Sequence, residues 1–249
     1  MKYSAYYVEE TDGAFSASIS ELELEKPSDG FVQIQVSFSS LNYKDALSAS
    51  GNKGVTRNYP FVPGIDAAGT ISDANSSNFV EGDEVLVTGY DMGMNTPGGF
   101  GEFINVPANW VVKKPSALTS IEAMSIGTAG LTAAASVLKI QESSKESDLP
   151  VLVSGATGGV GSIGVMLMSK LDKEVTALTG KSSSVDFLKS IGAKNVILRD
   201  DFLEGPGKPM ERALFSSAID TVGGNVLSKM LTQISPHGVV ACCGNVAGI

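Results

Sequence analysis

Residues 151–165 carry the strongest chemical signal in the sequence, because a short apolar strand pattern runs into a glycine-rich turn and then into a helical pattern. Ala156, Gly158 and Gly161 occupy the three spaced positions of a dinucleotide-binding fingerprint, with alanine in place of the usual first glycine. Gly158 lets the backbone approach a pyrophosphate, and Gly161 lets the helix pack closely on the strand. The helix N-terminus offers free N–H groups and a positive dipole end to phosphates. The segment therefore predicts a dinucleotide site.

The end of the second predicted strand distinguishes NAD from NADP, because NAD enzymes place an Asp or Glu there to bind the ribose 2′-hydroxyl. Residues 179–184 contain a lysine and several hydroxyls in that place, and no carboxylate. Lys181 supplies a point charge for a 2′-phosphate, with Thr179 and Ser182 as hydrogen-bond partners. This pattern favours NADPH, although a solvated polar loop without a ligand stays open. Arg199, after the third predicted strand, stacks on the adenine, binds the same phosphate, or is a surface arginine.

A second polar group, Asn42 to Asp45, follows a predicted strand, and we expect it to lie on a loop. Tyr43 can donate a proton to a carbanion or enolate, or a hydrogen bond to a substrate oxygen. For a tyrosine in a loop, packing is the more common role. Asp66 lies among apolar neighbours, and a buried carboxylate needs partners, so Asp66 is either structural or close to an active site.

Metal-ligating residues are scarce in this sequence. His237 is the only histidine, and the two cysteines, Cys242 and Cys243, are adjacent. A catalytic zinc site needs three protein ligands and a structural site needs four, so we expect no metal. Adjacent strand residues point to opposite faces, so we expect the cysteines to be unpaired, buried and reduced.

Composition and charge restrict the class of partner. The chain is 43% hydrophobic and 18% charged, which is typical of a folded protein. Its net charge of −9 argues against nucleic acid or an anionic membrane as the main partner. We find neither a signal-peptide pattern nor a segment that spans a membrane, and we expect a cytoplasmic protein. Lys44, Lys53 and Arg57 form either a cationic patch for a phosphate-bearing substrate or, more commonly, scattered solvated charges.

The elements that position these residues change in character along the chain. Up to about residue 115, alternating apolar and polar residues predict an antiparallel, barrel-like β domain. Thr119 and Glu122 form a capping-box pattern at the start of a helix, and a second helical run covers residues 131–139. The strands predicted in the β domain are residues 31–38, 67–71, 83–88 and 103–106.

From residue 151, strands and helices alternate, which predicts a parallel sheet with helices on both faces. The chain therefore divides into two predicted domains, residues 1–118 and 119–249. A doubly wound domain normally has a sixth strand, and this chain stops after the fifth. Either it is a truncated form of a longer protein, which we favour, or its sheet is one strand short. The predicted strands are 151–154, 174–178, 195–198, 218–221 and 239–243, and the helices lie near 161–170, 184–191 and 225–234.

Six segments together resemble the medium-chain dehydrogenase/reductase superfamily, in its zinc-free quinone oxidoreductase branch and the group that contains the acrylyl-CoA reductases. They extend over nearly the whole chain in the order found in the family, which is more specific than the glycine motif alone. The segments are residues 40–47, 63–70, 126–133, 155–162, 188–193 and 218–223.

The resemblance implies a GroES-like β-barrel domain, a Rossmann domain that lacks its last strand, and NADPH as the cofactor. Tyr43, with Asn42 beside it, is implied as the catalytic position that lines the nicotinamide. Asn245 is implied to contact the nicotinamide half through its backbone, since relatives commonly have an apolar residue there. Relatives usually carry arginine in place of Lys181, so the charge is kept and bidentate recognition is not. The implied phosphate-binding residues are Thr157, Gly158, Gly159 and Val160 for the pyrophosphate and Thr179, Gly180 and Lys181 for the 2′-phosphate.

The activity implied by the resemblance is zinc-independent, NADPH-dependent reduction of an activated C=C bond, in an α,β-unsaturated acyl-CoA such as acryloyl-CoA. NADPH:quinone oxidoreduction is the alternative in the same enzyme class. A non-catalytic NADPH-binding protein or truncated remnant is the alternative from another class. The resemblance also implies a homodimer for the full-length form, with a small molecule as the substrate.

Overall fold

The structure is a computed structural model that describes residues 1–144, 147–204 and 211–247. The chain forms two compact units, Met1–Thr128 and Ala129–Ile249, which we call unit 1 and unit 2. The functional boundary predicted after residue 118 stays a prediction. Each unit has a sheet and a hydrophobic core of its own.

Unit 1 begins with a long antiparallel hairpin that the sequence patterns did not predict. Its strands are β1 (Lys2–Thr11) and β2 (Ala14–Glu23). The two residues between them, Asp12 and Gly13, both have positive φ, at 51° and 79°. Asp-Gly is a strong signal for this type of two-residue turn, so the hairpin was detectable from its turn rather than from its strands.

Five further strands of unit 1 form an antiparallel sheet, as predicted. They are β3 (Phe31–Phe38), β4 (Asp66–Asp73), β5 (Glu84–Thr88), β6 (Phe103–Pro107) and β7 (Val112–Lys113). Their order in the sheet is β6-β3-β4-β5-β7. Alternate residues such as Val32, Ile34, Val85 and Val87 are buried in one core, which explains the period of two in the sequence.

The prediction of a loop for residues 42–45 is wrong, because helix α1 (Tyr43–Ala49) begins there. The backbone N–H of Asn42 donates to Asp45 Oδ2 at 2.7 Å. The carboxylate three residues along the chain therefore accepts the N–H group of the residue that precedes the helix, as in a capping box. A helix of seven residues is too short to produce a clear helical period.

Helix α2 (Ser120–Ser143) contains both predicted helical runs, and non-helical φ and ψ angles of 47° and −154° at Gly127 separate them. Thr119 and Glu122 exchange hydrogen bonds at its start, as the capping box predicts. By length and composition α2 is long and apolar enough to cross a membrane, although we expected no spanning segment from the sequence. This is weak support for a membrane span, because core helices of soluble proteins have the same properties.

Unit 2 contains a parallel sheet of five strands among its described residues, as predicted. Its order is the third, second, first, fourth and fifth strand of the unit, which is the order of a doubly wound dinucleotide domain. The strands are β8 (Val151–Val153), β9 (Val175–Thr179), β10 (Asn195–Leu198), β11 (Ser217–Asp220) and β12 (Val240–Cys242).

Helices cover both faces of this sheet. Val151 and Val153 of β8 belong to one buried cluster and Leu152 belongs to another, so successive residues of the strand are buried on opposite faces. This two-sided burial explains why the strands read as continuous apolar runs. The remaining helices of unit 2 are α3 (Gly159–Lys170), α4 (Val185–Ser190), α5 (Arg199–Leu203) and α6 (Gly224–Leu231).

Candidate functional site

The candidate cofactor site of unit 2 lies at the carboxyl ends of β8 and β11, where the strand order reverses. From β8 the chain proceeds to β9 and β10 on one side, and β11 and β12 lie on the other. Ligands of open parallel sheets bind outside this reversal point. The glycine-rich turn predicted to bind pyrophosphate begins there, directly after β8.

The turn has the geometry that phosphate binding requires. Gly155, rather than the residue at the first fingerprint position, has the left-handed conformation, with φ of 55°. Ala156 is therefore tolerated, and its side chain is fully buried. Gly158 precedes α3 as its N-cap residue and offers no side-chain cap, so the N–H groups of the first helical turn have neither an intrahelical partner nor a capping side chain. A Cβ atom on Gly161 would collide with the Gly155 carbonyl, which shows that glycine is needed for the close approach of helix and turn.

Thr157, Gly158, Gly159 and Val160 all lie at this helix start. Gly159 and Val160 are the first two residues of α3, and the other two directly precede it. The uncapped helix N-terminus, the turn that requires glycine and the position at the reversal point together fit the pyrophosphate of a dinucleotide.

The residues predicted to recognise the 2′-phosphate lie together after β9. Thr179 is buried, and its Oγ accepts a hydrogen bond from the Lys181 backbone N–H at 3.1 Å. Gly180 and Lys181 are exposed. A Cβ atom built on Gly180 would lie 3.4 Å from Arg199 Nη1, so the guanidinium of Arg199 lies against this glycine. The guanidinium of Arg199, the first residue of α5, therefore lies beside the loop that carries Lys181.

Asn245 follows β12, and its side-chain oxygen lies against Gly223, where a Cβ atom would collide with it. Gly223 directly precedes α6 and has φ of 74°. Asn245 is thus packed on the loop that leaves β11, next to the reversal point.

The prediction of buried cysteines is wrong, because Cys242 and Cys243 are both exposed. The physical reason is the position of β12 at the edge of the described sheet, where only one neighbouring strand covers it. Partial desolvation and the nearby Asp220 carboxylate nevertheless raise the pKa of the Cys242 thiol, and desolvation also raises the pKa of Cys243.

Within residues 1–144, 147–204 and 211–247, no group of three or more His, Cys, Asp and Glu side chains could hold a metal ion.

In unit 1, Asn42 and Tyr43 lie at the start of α1. Tyr43 is 65% exposed, so its ring is accessible to a ligand. Asn42 is half-buried, and its Nδ2 donates to Asp66 Oδ2 at 2.8 Å. The amide orientation of Asn42 is therefore determined by a carboxylate, and the residue next to Tyr43 is fixed.

Asp66 is fully buried, and its carboxylate accepts hydrogen bonds from three residues of unit 1. Besides Asn42, the Ser40 hydroxyl donates to it, as do the backbone N–H of Thr128 at 3.0 Å and the Thr128 hydroxyl at 2.8 Å. The break in α2 at Gly127 exposes this N–H group, and a Cβ atom there would lie 2.8 Å from Asp66 Oδ2. Asp66 is thus a structural carboxylate that also holds a candidate catalytic residue. The roles of Ser40 and Thr128 were not predicted, although both are polar residues beside apolar runs.

Asp45 is a second buried carboxylate of this region. Its oxygens accept from the backbone N–H groups of Asn42 and Ile65, the latter at 2.9 Å. Burial raises the pKa of Asp45, the two backbone hydrogen bonds oppose this effect, and the charge of Asp66 adds to the rise.

The cationic patch considered from the sequence is not supported at Lys53. This side chain makes an ion pair with Glu10 and lies 5.3 Å from the ring centre of Phe15 and 4.8 Å from that of Tyr59. Its charge is therefore engaged within unit 1.

Comparison with known proteins agrees with this architecture. Residues 28–116 match the alcohol dehydrogenase GroES-like domain. The chain is 42% identical over 245 residues to the Escherichia coli protein named probable acrylyl-CoA reductase AcuI, which covers 98% of this chain and 75% of that protein. It is 36% identical over 241 residues to acrylyl-CoA reductase AcuI of Ruegeria pomeroyi, and this match covers 96% of this chain and 73% of that protein. It is 42% identical over 223 residues to YhfP of Bacillus subtilis, which is provisionally named a quinone oxidoreductase. This match covers 89% of this chain and 67% of that protein.

Solved structures of relatives contain nicotinamide cofactors. The Salmonella enterica oxidoreductase yhdH in complex with NADP matches with a TM-score of 0.92 and 43% identity, covering 98% of this chain and 75% of the other. Bacillus subtilis yhfP with bound NAD matches with a TM-score of 0.94 and 38% identity, covering 100% of this chain and 76% of the other. The protein therefore belongs to the medium-chain dehydrogenase/reductase family, in the group that contains the acrylyl-CoA reductases AcuI and the quinone oxidoreductase relative YhfP.

Proposed function

We propose that this protein is a zinc-independent, NADPH-dependent reductase of an activated C=C bond, with an α,β-unsaturated acyl-CoA such as acryloyl-CoA as its substrate. The observation that carries this proposal is the cofactor half-site of unit 2, in which an uncapped helix start and the loop that carries Lys181, with Arg199 beside it, lie at the carboxyl edge of one sheet. The substrate class follows from the names of the AcuI relatives.

The chain's own residues would hold NADPH as follows. The backbone of Thr157, Gly158, Gly159 and Val160 would bind the pyrophosphate. Thr179, Gly180, Lys181 and Arg199 would bind the adenine end and its 2′-phosphate. Asn245 would contact the nicotinamide half through its backbone. When bound, NADPH supplies the hydride that reduces the double bond.

Tyr43 and Asn42 are the proposed catalytic residues. Reduction at the β carbon places negative charge on the thioester carbonyl oxygen, and hydrogen-bond donors stabilise that charge. Tyr43 has an exposed hydroxyl-bearing ring at the start of α1 and can donate to this oxygen or protonate the α carbon. Asn42, held by Asp66, fixes the backbone that carries Tyr43.

A quinone substrate is the second candidate, and the specific observation in its favour is the 42% identity to YhfP. Neither candidate requires zinc. We further propose that the protein is cytoplasmic, that it forms a homodimer, and that the catalytic domain comprises residues 1–118 and the cofactor domain residues 119–249.

The experiment that tests the proposed function is NADPH oxidation by the purified protein, with acryloyl-CoA and 1,4-benzoquinone assayed in parallel. Efficient turnover of acryloyl-CoA with slow quinone reduction supports the enoyl-thioester proposal. The reverse identifies a quinone reductase. NADPH binding without turnover of either compound supports the non-catalytic alternative and contradicts the proposal.

A further inference from the structure

We infer that Asp220, Ser154 and Thr221 form a positioning network that holds the glycine-rich turn in its phosphate-binding conformation. The inference rests on the proposed binding of NADPH. Ser154 directly follows β8, Asp220 ends β11 and Thr221 follows it, so the network joins the two strands that flank the reversal point of the sheet. None of the three was predicted as a site residue.

Asp220 is the centre of the network and is fully buried. Its Oδ1 accepts from the Ser154 hydroxyl at 2.6 Å and from the Val222 backbone N–H at 3.2 Å. Its Oδ2 accepts from the Gly223 backbone N–H at 3.0 Å. The carboxylate therefore ties the end of β8 to the loop that leads into α6. Among the described residues no ion pair involves Asp220, so neutral donors alone satisfy it, and each of them is needed.

Ser154 and Thr221 are joined by a reciprocal pair of hydrogen bonds. The Thr221 backbone N–H donates to Ser154 Oγ at 3.0 Å, and the Thr221 hydroxyl donates to the Ser154 carbonyl at 3.0 Å. The same hydroxyl oxygen lies 2.2 Å from the position of a Cβ atom on Gly155, so only glycine fits there. The left-handed residue of the turn is thus enclosed between β8 and Thr221.

Gly155 in turn contacts the residues at the start of α3. Its carbonyl accepts the Gly158 backbone N–H at 2.9 Å, and Gly161 packs against the same carbonyl. A continuous series of contacts therefore runs from the Asp220 carboxylate through Ser154 and Gly155 to the N–H groups proposed to bind pyrophosphate. None of the hydrogen bonds of the three network residues reaches Lys181 or Arg199 in the part of the chain that the structure describes.

This separation predicts which part of the cofactor depends on the network. Loosening the turn should weaken contacts to the pyrophosphate, whereas contacts to the adenine end should remain. NADPH contains both parts. Adenosine 2′-monophosphate contains the adenine end and its 2′-phosphate but neither phosphate of the pyrophosphate, so it reports on the loop after β9 alone.

The test compares Ser154→Ala and Asp220→Asn with the matched control Ser217→Ala. Ser217 is as deeply buried as Ser154, and its hydroxyl donates to Ser216 O at 2.8 Å and accepts the Val239 N–H at 3.2 Å. It pairs in register with Val151, at the amino end of the same two strands. Loss of a hydrogen bond to a charged group should raise the Kd for NADPH about tenfold in both network variants. The Kd for adenosine 2′-monophosphate should stay within about twofold, and Ser217→Ala should change neither Kd.

Calorimetric titration of all four proteins with both ligands decides the question, and Ser154→Ala keeps the test valid if Asp220→Asn does not fold. Unchanged NADPH affinity in Ser154→Ala would overturn the inference. Equal weakening of both ligands, or an equal effect in Ser217→Ala, would also overturn it, because general loosening of the unit would then be the cause. If the unaltered protein bound no NADPH, the proposed function would fail together with the inference.

Discussion

Substitution of Gly161 by alanine tests the packing of α3 on the glycine-rich turn. The added Cβ atom would overlap the Gly155 carbonyl oxygen and lie 2.8 Å from Ala156 Cα. Ordinary carbon contacts are about 3.5–4.0 Å, and both neighbours are backbone atoms that cannot rotate away, so the helix must move. Such overpacking costs roughly 1–3 kcal/mol of unfolding free energy. For a chain of this size, each kcal/mol lowers the melting temperature by about 2–4 °C.

Two other glycines, one directly before the same helix and one within it, provide matched controls. A Cβ atom on Gly158 would lie 3.3 Å from the Gly155 oxygen, and one on Gly164 would lie 3.1 Å from the flexible end of Ile219. Gly164→Ala should therefore affect stability less than Gly161→Ala. Gly158→Ala should retain stability and weaken NADPH binding, because its methyl group obstructs the helix N-terminus. Thermal denaturation followed by circular dichroism measures stability, and titration measures affinity. A melting temperature for Gly161→Ala equal to that of the unaltered protein would refute the packing argument.

Three further predictions concern the catalytic, specificity and capping residues. Tyr43→Phe should lower kcat by about tenfold or more with the NADPH Kd unchanged, and steady-state kinetics with unchanged turnover would remove Tyr43 from the mechanism. Lys181→Ala should raise the Kd for NADPH about tenfold and leave that for NADH unchanged; equal effects in titrations would contradict a 2′-phosphate role. Hydrogen bonds from Thr119 lower the pKa of Glu122 below its ordinary 4.5, so the stability this residue contributes is present above pH 4.5 and is lost as the pH falls through the lowered pKa. Glu122→Ala should therefore lower the melting temperature at pH 7, and by progressively less below pH 4.5. A difference in melting temperature from the unaltered protein that does not change with pH would contradict this role of Glu122.

Much of the cofactor half-site could be predicted because its chemistry depends on local sequence. The strand, turn and helix around Gly158 are contiguous, and the residues proposed to bind phosphate directly follow the ends of strands. Lys181 and Arg199 could each be proposed from the sequence, but their proximity depends on the parallel pairing of β9 and β10, which brings the ends of both strands to one edge.

The parts that could not be predicted depend on contacts between distant residues. Asp66 reads in the sequence as a polar residue in an apolar run, and its role becomes clear only when Ser40, Asn42 and Thr128 converge on it. Likewise, the left-handed residue of the turn is Gly155 and not the residue at the first fingerprint position, and the Thr221 hydroxyl, from the end of another strand, leaves no room there for a Cβ atom. The exposure of the cysteines depends on the place of β12 at the sheet edge, which a single strand pattern does not reveal.

The most direct test of the proposed reaction is the fate of the transferred hydrogen. The protein would be incubated with acryloyl-CoA and NADPH carrying deuterium at C4 of the nicotinamide, with each of the two C4 positions labelled in turn, and the product analysed by mass spectrometry. We predict propionyl-CoA with one deuterium at C3 from one of the two labelled cofactors and none from the other. NADPH consumption without label at C3, or no formation of propionyl-CoA with either cofactor, would contradict the assignment of this protein as a reductase of α,β-unsaturated thioesters.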